Sequence, residues 1–510
     1  MKQAFNPYLP FWETVPDGEP HVFGDRVYVY GSHDTMGGSS YCTEDYVGWS
    51  APVDNLNDWK YEGVIYKKSQ DPINGAPFDK SVPSFENIMK DENFMHCLYA
   101  PDVAKGLDGK YYLYYALDFC DIISVAVSDS PAGPFKFLDY VAYEDGSQPK
   151  VGRKFDPAIL VEEDGNYLYY GFCPAFKFPG MEEQQMPGLM MVKLSDDMHT
   201  IISEPVLIAN GCDTAKETSF EEHPAFEASS IRHIGDWYYF VYSSLQGHEL
   251  CYAMGKRPEG PFEYKGVIIS NADLGFNGNK VPVNYWGNNH GGLEKIGDKV
   301  YIFYHRQTHG TEYSRQGCAE EVEILTDGTI PQVEVTSCGL NGGGLKASEM
   351  YDTYIACHLT GKGIMNSSYY SQAEGVPGHV LSKRPDDLNT LVVPEGMPFI
   401  TEEDYPGGEK GLKPFINGMT QGAVAGFKYF EFENENTIKL ELRGKGTFTV
   451  YMDGFDSTVA KSLCQIKVDS SQWSIIEGKF NNLQGKHSIY LLVNEGKIDF
   501  AKIGFVGKKS

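Results

Sequence analysis

Residues 156–173 read Asp-Pro-Ala-Ile-Leu-Val-Glu-Glu-Asp-Gly-Asn-Tyr-Leu-Tyr-Tyr-Gly-Phe-Cys. An apolar run meets an Asp-Gly pair, and an aromatic-rich run follows it. Asp and Gly tolerate the positive φ of tight turns, so the stretch predicts a β-hairpin. The same plan recurs as PHVFGDRVYVYGSHD from Pro20, APDVAKGLDGKYYLYYALD from Ala100, FEASSIRHIGDWYYFVYSS from Phe226 and GGLEKIGDKVYIFYHR from Gly291. Further strand-like stretches, such as 122–127 and 250–254, suggest four strands per repeat. Independent hairpins of a sandwich would share the Gly-Asp turns. Five similar units within the first 330 residues instead favour a closed ring, which protects strand edges that an open sheet exposes.

Beyond residue 330 the pattern changes. TSCGLNGGGLKASEM, from Thr336, is Gly-rich and reads as part of a connector over 331–349. Short strands then follow, among them FKYFEFE, TIKLELRG, GTFTVYMDG, WSIIEGKF, HSIYLLVN and IDFAKIGFVG. The expected fold class is all-β, with a five-bladed β-propeller over 1–330 and a β-sandwich over 350–510.

Composition agrees. The 510 residues carry 34 Tyr and 29 Phe, which suits strands. A net charge of −27 argues against nucleic acid and anionic lipid, both of which need a dense Lys/Arg surface. The opening MKQAFNPYLPFWETVPDGEP lacks the apolar run and small-residue cleavage site of a signal peptide, and the ten cysteines form no CxxC pair. The expectation is a cytoplasmic protein with reduced thiols and no membrane association.

Inner strands of a propeller converge on a central channel, so polar residues heading them meet there from distant positions. Asp17 in VPDGEP, Asp156 in KFDPAIL and Glu227 in HPAFEASSIR each precede such a strand. A lone Asp-Gly or Asp-Pro is most simply a turn former, and Asp25, Asp108, Asp164, Asp236 and Asp298 are read that way. Three acids at strand mouths instead suit glycosidic hydrolysis, which takes one protonated carboxyl to expel the leaving oxygen and one carboxylate to activate water or attack carbon. Trp286, Tyr99 and Phe226 are candidate apolar walls for a sugar ring, with core packing an equal reading for Phe226.

The ordered set NPYLP, PDGEPHVFGDRVYVYGSHD, YAPDV, FDPAIL, FEASSI and GNNHGGLE resembles glycoside hydrolase family 43 over residues 1–330. Many members carry Ala-Asp-Pro where this chain has Pro16-Asp17-Gly18. The resemblance implies Asp17 as general base, Asp156 as the residue that orients and tunes the acid, and Glu227 as general acid. It implies inversion of anomeric configuration, with room for a water between base and sugar. It also implies that Arg315 contacts the sugar and the carboxylates, and that His290 helps to hold a hydrated calcium ion on the axis. On residue chemistry alone, His290 reads as a hydrogen-bonding channel histidine, since Ca²⁺ prefers oxygen.

INGMTQGAVAGFKYFEFE from Ile416 and NNLQGKHSIYLLVNEGKIDF from Asn481 resemble carbohydrate-binding module family 6, a β-sandwich. Glycan binding and a structural role both stand open for that segment.

The expected function is an inverting exo-acting hydrolase that releases terminal L-arabinofuranose, with D-xylose as a further released sugar, from arabinoxylan-derived oligosaccharides. One alternative is a β-xylosidase as the main activity. A retaining fructosidase shares the architecture, but its Asn-Asp-Pro, Arg-Asp-Pro and Glu-Cys motifs stand here as Pro-Asp-Gly, Phe-Asp-Pro and Glu-Ala. A non-catalytic glycan-binding propeller is the alternative of another class.

Overall fold

Three of the repeats turn on the Gly-Asp pair itself. Gly24, Gly235 and Gly297 take φ of 68°, 64° and 67°, and each pair is flanked by directly paired residues: Phe23 with Arg26, Ile234 with Trp237, Ile296 with Lys299. Glycine is needed there because the first position of this two-residue turn has positive φ. In the third repeat the turn falls on Glu163-Asp164, one residue before the Asp-Gly reading, and Gly165 is already strand.

The computed structural model describes residues 4–38, 40–75, 95–175, 183–285, 287–361, 396–455 and 460–507. Blade one comprises β1 (Glu19–Phe23), β2 (Arg26–Tyr30), β3 (Tyr46–Pro52) and β4 (Lys60–Tyr66), and blade two β5 (Leu98–Lys105), β6 (Tyr111–Leu117), β7 (Ile123–Ser128) and β8 (Lys136–Tyr140). Blade three pairs β9 (Ala142–Tyr143), β10 (Ala158–Glu162), β11 (Gly165–Tyr170), β12 (Gly188–Leu194), β13 (Thr200–Ile201) and β14 (Val206–Asn210). Blade four has β15 (Ala225–Ile234), β16 (Trp237–Ser244), β17 (Glu249–Gly255) and β18 (Glu263–Ser270). Among the described residues blade five has three strands, β19 (Leu293–Ile296), β20 (Lys299–Gln307) and β21 (Arg315–Val322).

The lead strands touch in a closed circuit, β1 to β5 to β10 to β15 to β19 and back to β1. A Gly18–Gly291 bridge closes blade five onto blade one. Asn6 adds to the closure by donating Nδ2 to Glu320 Oε1 at 2.8 Å and accepting from the Ala319 N–H at 2.9 Å. The chain is therefore all-β with a five-bladed propeller, and the polar heads of five inner strands meet on one axis.

The remaining strands form a second unit: β22 (Leu345–Lys346), β23 (Met350–Asp352), β24 (His358–Thr360), β25 (Phe399–Asp404), β26 (Leu412–Thr420), β27 (Val424–Phe432), β28 (Glu435–Met452), β29 (Lys461–Lys479) and β30 (Gly485–Gly507). TIKLELRG and GTFTVYMDG, expected as two strands, are one continuous β28, and HSIYLLVN and IDFAKIGFVG both lie in β30. Their glycines bend the strands instead of ending them: Gly444 and Gly496 take φ of 127° and 84°. The stretch 331–349 is packed rather than free, with Val335, Cys338, Leu345 and Ala347 buried and β22 paired to β27.

The two units interlock. Lys428 Nζ reaches Asp273 and Glu334, each at 2.9 Å, and His309 Nε2 pairs with Glu402 Oε2 at 2.8 Å. No helix of the described residues is long and apolar enough to cross a membrane.

Candidate active site

Asp17 precedes β1 with a φ of 56°, a conformation that non-glycine residues rarely adopt. Asp156 precedes β10 with a φ of 45°, and Ala228, next to Glu227, has a φ of 67°. Backbone held in such conformations concentrates at functional sites, where it aims a side chain. Around Glu227 the β15–β16 register slips twice, between Ala225 and Glu227 and between Glu227 and Ser230. That bulge turns Glu227 out of the regular alternation.

Asp17 is only 4% exposed. Its Oδ1 accepts from Arg315 Nη1 at 2.9 Å, and its backbone N–H donates to His305 Nδ1 at 3.2 Å. The opposite edge of that ring fixes its tautomer, because Nε2–H donates to the Asn288 carbonyl at 2.7 Å. Burial opposes charge on Asp17, yet the Arg315 guanidinium outweighs it and holds the carboxyl well below the usual carboxylate range. Asp17 is thus ionised across the working pH range.

Glu227 behaves oppositely. It lies deep in the fold with partial accessibility, and burial followed by the negative field of Asp17 pushes its carboxyl up to about 8. Asp156 is also raised well above its ordinary value, by burial and then by Glu227 and Asp17. The firm contact of Asp156 is with backbone, since its Oδ2 accepts from the Ala228 N–H at 2.9 Å and so ties down the bulge that carries Glu227.

Arg315 opens β21 and is buried, with its guanidinium over the Tyr41 ring at 4.8 Å. Asp34, at the end of the first repeat, grips it from the other side, accepting Nε at 2.9 Å and Nη2 at 3.0 Å. An aromatic arc runs beside the acids: Tyr99 to Phe155 at 5.3 Å, Phe155 to Phe172 at 5.4 Å and Phe172 to Phe226 at 5.1 Å between ring centroids. Tyr99 and Phe226 are thus brought together through two rings that sequence reading passed over. Trp286 lies outside the described residues.

One layer further along the inner strands the channel is filled. Arg232 Nη2 reaches Glu19 Oε2 at 2.9 Å, and His21 Nε2 meets Asp102 Oδ1 at 2.6 Å. Ser230 adds a hydrogen bond to Glu19 at 3.0 Å.

His290 stands between the layers. Its Nδ1 is 3.6 Å from Asp156 Oδ2, and its Nε2 is 3.9 Å from Glu19 Oε1. Burial lowers the ring to about 4, so it is neutral at working pH. His290 Nε2 and Glu19 Oε1 are both buried, and neither has a hydrogen-bond partner. Burial pushes the Glu19 carboxyl up to about 8, so a neutral nitrogen and a carboxyl oxygen lie open beside each other, two ligand positions for a hydrated cation whose charge would favour the ionised form of Glu19.

Residues 53–330 match the family model described as glycosyl hydrolases family 43. The chain belongs to glycosyl hydrolases family 43. Family membership makes the protein a glycoside hydrolase and gives the paired carboxyls their chemical context. A xylosidase/arabinosidase of Thermoclostridium stercorarium is 42% identical over 96% of both chains. A xylosidase/arabinosidase of Bacteroides ovatus is 30% identical over 64% of this chain and 97% of its own. Among solved structures, a family 43 beta-xylosidase/alpha-arabinofuranosidase from a compost microbial metagenome, described with xylotriose in a calcium-free form, is 27% identical. That alignment covers 65% of this chain and 98% of the other, with a TM-score of 0.48.

Several site residues escaped sequence reading. Asp34 ends the quoted first repeat and His305 nearly ends the fifth, so both lay in view. No spacing rule links either to Asp17, because the link is made by ring closure. Phe155 adjoins Asp156, and that adjacency to a candidate acid is the signal that could have found it.

Proposed function

We propose that this family 43 member is an inverting, exo-acting hydrolase that releases terminal L-arabinofuranose, and also D-xylose, from arabinoxylan-derived oligosaccharides. The observation that carries the mechanism is the opposite electrostatic treatment of two acids in one pocket. Arg315 keeps Asp17 ionised, while burial keeps Glu227 protonated up to about pH 8. Asp17 takes a proton from water as the water oxygen bonds to the anomeric carbon. Glu227 gives its proton to the glycosidic oxygen as the C–O bond breaks, so each turnover leaves Asp17 protonated and Glu227 ionised until solvent resets them.

Asp156 acts on Glu227 through the Ala228 N–H, fixing where the acid points. Arg315 holds the base and is placed to bind a sugar hydroxyl. The aromatic arc offers apolar surface to a pentose ring. The floor built on Arg232 supports removal of terminal units. His290 and Glu19 are the residues that would hold a Ca²⁺ ion, whose charge would stabilise the buried carboxylates around it.

For the second unit we infer a β-sandwich resembling carbohydrate-binding module family 6, its core formed by residues such as Phe427, Leu440 and Leu491. Division of the chain near residues 331–349 follows from the change of sheet between β21 and β22. Ten free cysteines suit a reducing, cytoplasmic setting.

The stereochemical test is proton NMR during early turnover of an aryl α-L-arabinofuranoside. The inverted anomer should appear first. Initial release of the retained anomer would mean a covalent intermediate and would remove Asp17 as base. A main activity on xylosides is the second reading, favoured by the double names of the two relatives. Relative kcat/KM on matched aryl arabinofuranoside and xyloside decides it.

A further inference from the structure

Arg306, on β20, is 1% exposed, and among the described residues no carboxylate pairs with it directly. Nε donates to Cys318 Sγ at 3.3 Å and Nη1 to the Ala356 carbonyl at 3.0 Å, but Nη2 has no partner. The groups that most affect it electrostatically are the side chains of Cys318, Tyr304 and Cys357, none of them a carboxylate. Glu320 is close enough to sense Arg306, yet its oxygens are engaged by Asn6, Thr336 and Tyr304. A buried guanidinium without an anion is costly, because neither water nor a carboxylate offsets its lost hydration.

A cavity of about 20 Å³ borders Arg306 at the seam between blade five and the second unit. That volume admits one water or one small ion. The buried Tyr285 hydroxyl also belongs to a lining residue and also lacks a partner. Asn284 Oδ1 is occupied by the Tyr285 N–H at 3.0 Å, which leaves its Nδ2 group as a donor. Leu359, Met397, Phe399 and Ile400 line the second unit's side. Glu312, an acid that influences Tyr285, does not border the cavity. The lining thus combines one positive charge, neutral donors and an apolar wall.

We propose that a small monovalent anion of the halide class binds between the two units at Arg306. A halide carries the missing charge, accepts from several donors at once, and tolerates an apolar wall better than a strongly hydrated dianion does. The site bears on catalysis through β20. Arg306 lies between His305, whose Nδ1 accepts from the Asp17 N–H, and Gln307, whose Nε2 donates to the Asn288 carbonyl at 2.8 Å. Neutralising Arg306 fixes the strand that supports the base.

The experiment uses the full chain, dialysed into sodium gluconate and titrated with sodium chloride at constant ionic strength. Chloride should raise the melting temperature saturably by a few degrees and raise kcat severalfold. Arg306→Gln should abolish both responses. Tyr285→Phe, which preserves the ring, should weaken the response if Arg306→Gln fails to fold. Crystals grown in sodium bromide should show an anomalous peak at hydrogen-bonding distance from Arg306 Nη2. Water at that position in bromide, or melting and activity indifferent to chloride, would overturn the proposal. The bromide readout does not depend on which glycoside the enzyme cleaves, so the anion site and the proposed activity can fail separately.

Discussion

Arg315 stands between two carboxylates, giving Nη1 to Asp17 and its other edge to Asp34, at distances of 2.9 to 3.0 Å. Asp34 orients the guanidinium, and the guanidinium keeps Asp17 ionised. Asp34 is therefore a positioning residue that acts on the proposed base, Asp17, through Arg315.

Arg315→Lys keeps the charge but cannot fork to both carboxylates. A loss of roughly 100-fold in kcat/KM is expected, the scale of removing a preorganised electrostatic contact. Asp34→Asn should cost about 10-fold, as outer supporting partners do. Steady-state kinetics on one aryl glycoside checks both, and an Arg315→Lys enzyme with unaltered kcat/KM would contradict the arrangement.

The pH profile follows from Glu227. A general acid works only while protonated, and the folded carboxyl is raised to about 8, so activity persists below that value and falls as pH rises through it. The profile of kcat/KM should show a basic limb with an apparent pKa near 8. Asp17, held far below the usual carboxylate range, should contribute no limb in the neutral region. A basic limb centred near 4.5 would show that burial does not raise the acid.

Much of this arrangement was legible in the sequence, and the illegible part has a physical cause. Tight turns are local, so Gly24-Asp25, Gly235-Asp236 and Gly297-Asp298 announced three hairpins and, by repetition, the ring. The mouths of the inner strands then pointed to Asp17, Asp156 and Glu227. Asp34, His305 and Phe172 stayed hidden because tertiary closure, not spacing, brings them to those acids, whereas Phe155 stood in view beside Asp156. The long β28 and β30 were misread as strand pairs because a glycine inside a strand looks like a turn until its partner strand is known. The packing of the connector at 331–349 was not legible, because its buried side chains meet partners from both units.

The open atoms at His290 Nε2 and Glu19 Oε1 predict dependence on metal. Chelation should lower activity and melting temperature together, and Ca²⁺ should restore both. His290→Ala should remove the response to Ca²⁺. An enzyme verified free of metal that keeps full activity and its original melting temperature would remove calcium from the account.

Glu402 of the second unit accepts from His309 Nε2 at 2.8 Å, and His309 Nδ1 meets Thr308 Oγ1 at 2.8 Å and Ser314 Oγ at 3.3 Å. The loop so held leads directly into Arg315. Glu402→Ala should therefore lower kcat by about 10-fold, the scale for loss of a supporting partner. Glu402→Gln, which keeps an acceptor, should recover most of it. Glu441→Ala, which breaks the Lys413 pair within the second unit, serves as a control that should leave kcat alone. Equal kcat losses in Glu402→Ala and Glu402→Gln would refute positioning by this contact.

The division of labour between Asp17 and Glu227 is tested most directly by varying the leaving group. Acid assistance matters in proportion to how poorly the group departs. Glu227→Ala should cripple hydrolysis of arabinoxylan oligosaccharides, whose departing oxygen must be protonated, yet retain far more activity on a nitrophenyl arabinofuranoside. Asp17→Ala should be equally impaired on both, since water needs activation whatever departs. The measurement is the ratio of mutant to wild-type kcat/KM on the two substrates. The account predicts a ratio for Glu227→Ala at least about 100-fold higher on the nitrophenyl substrate, the span general acid catalysis commonly covers, and no such difference for Asp17→Ala. Equal losses on both substrates for folded Glu227→Ala would contradict its role as general acid.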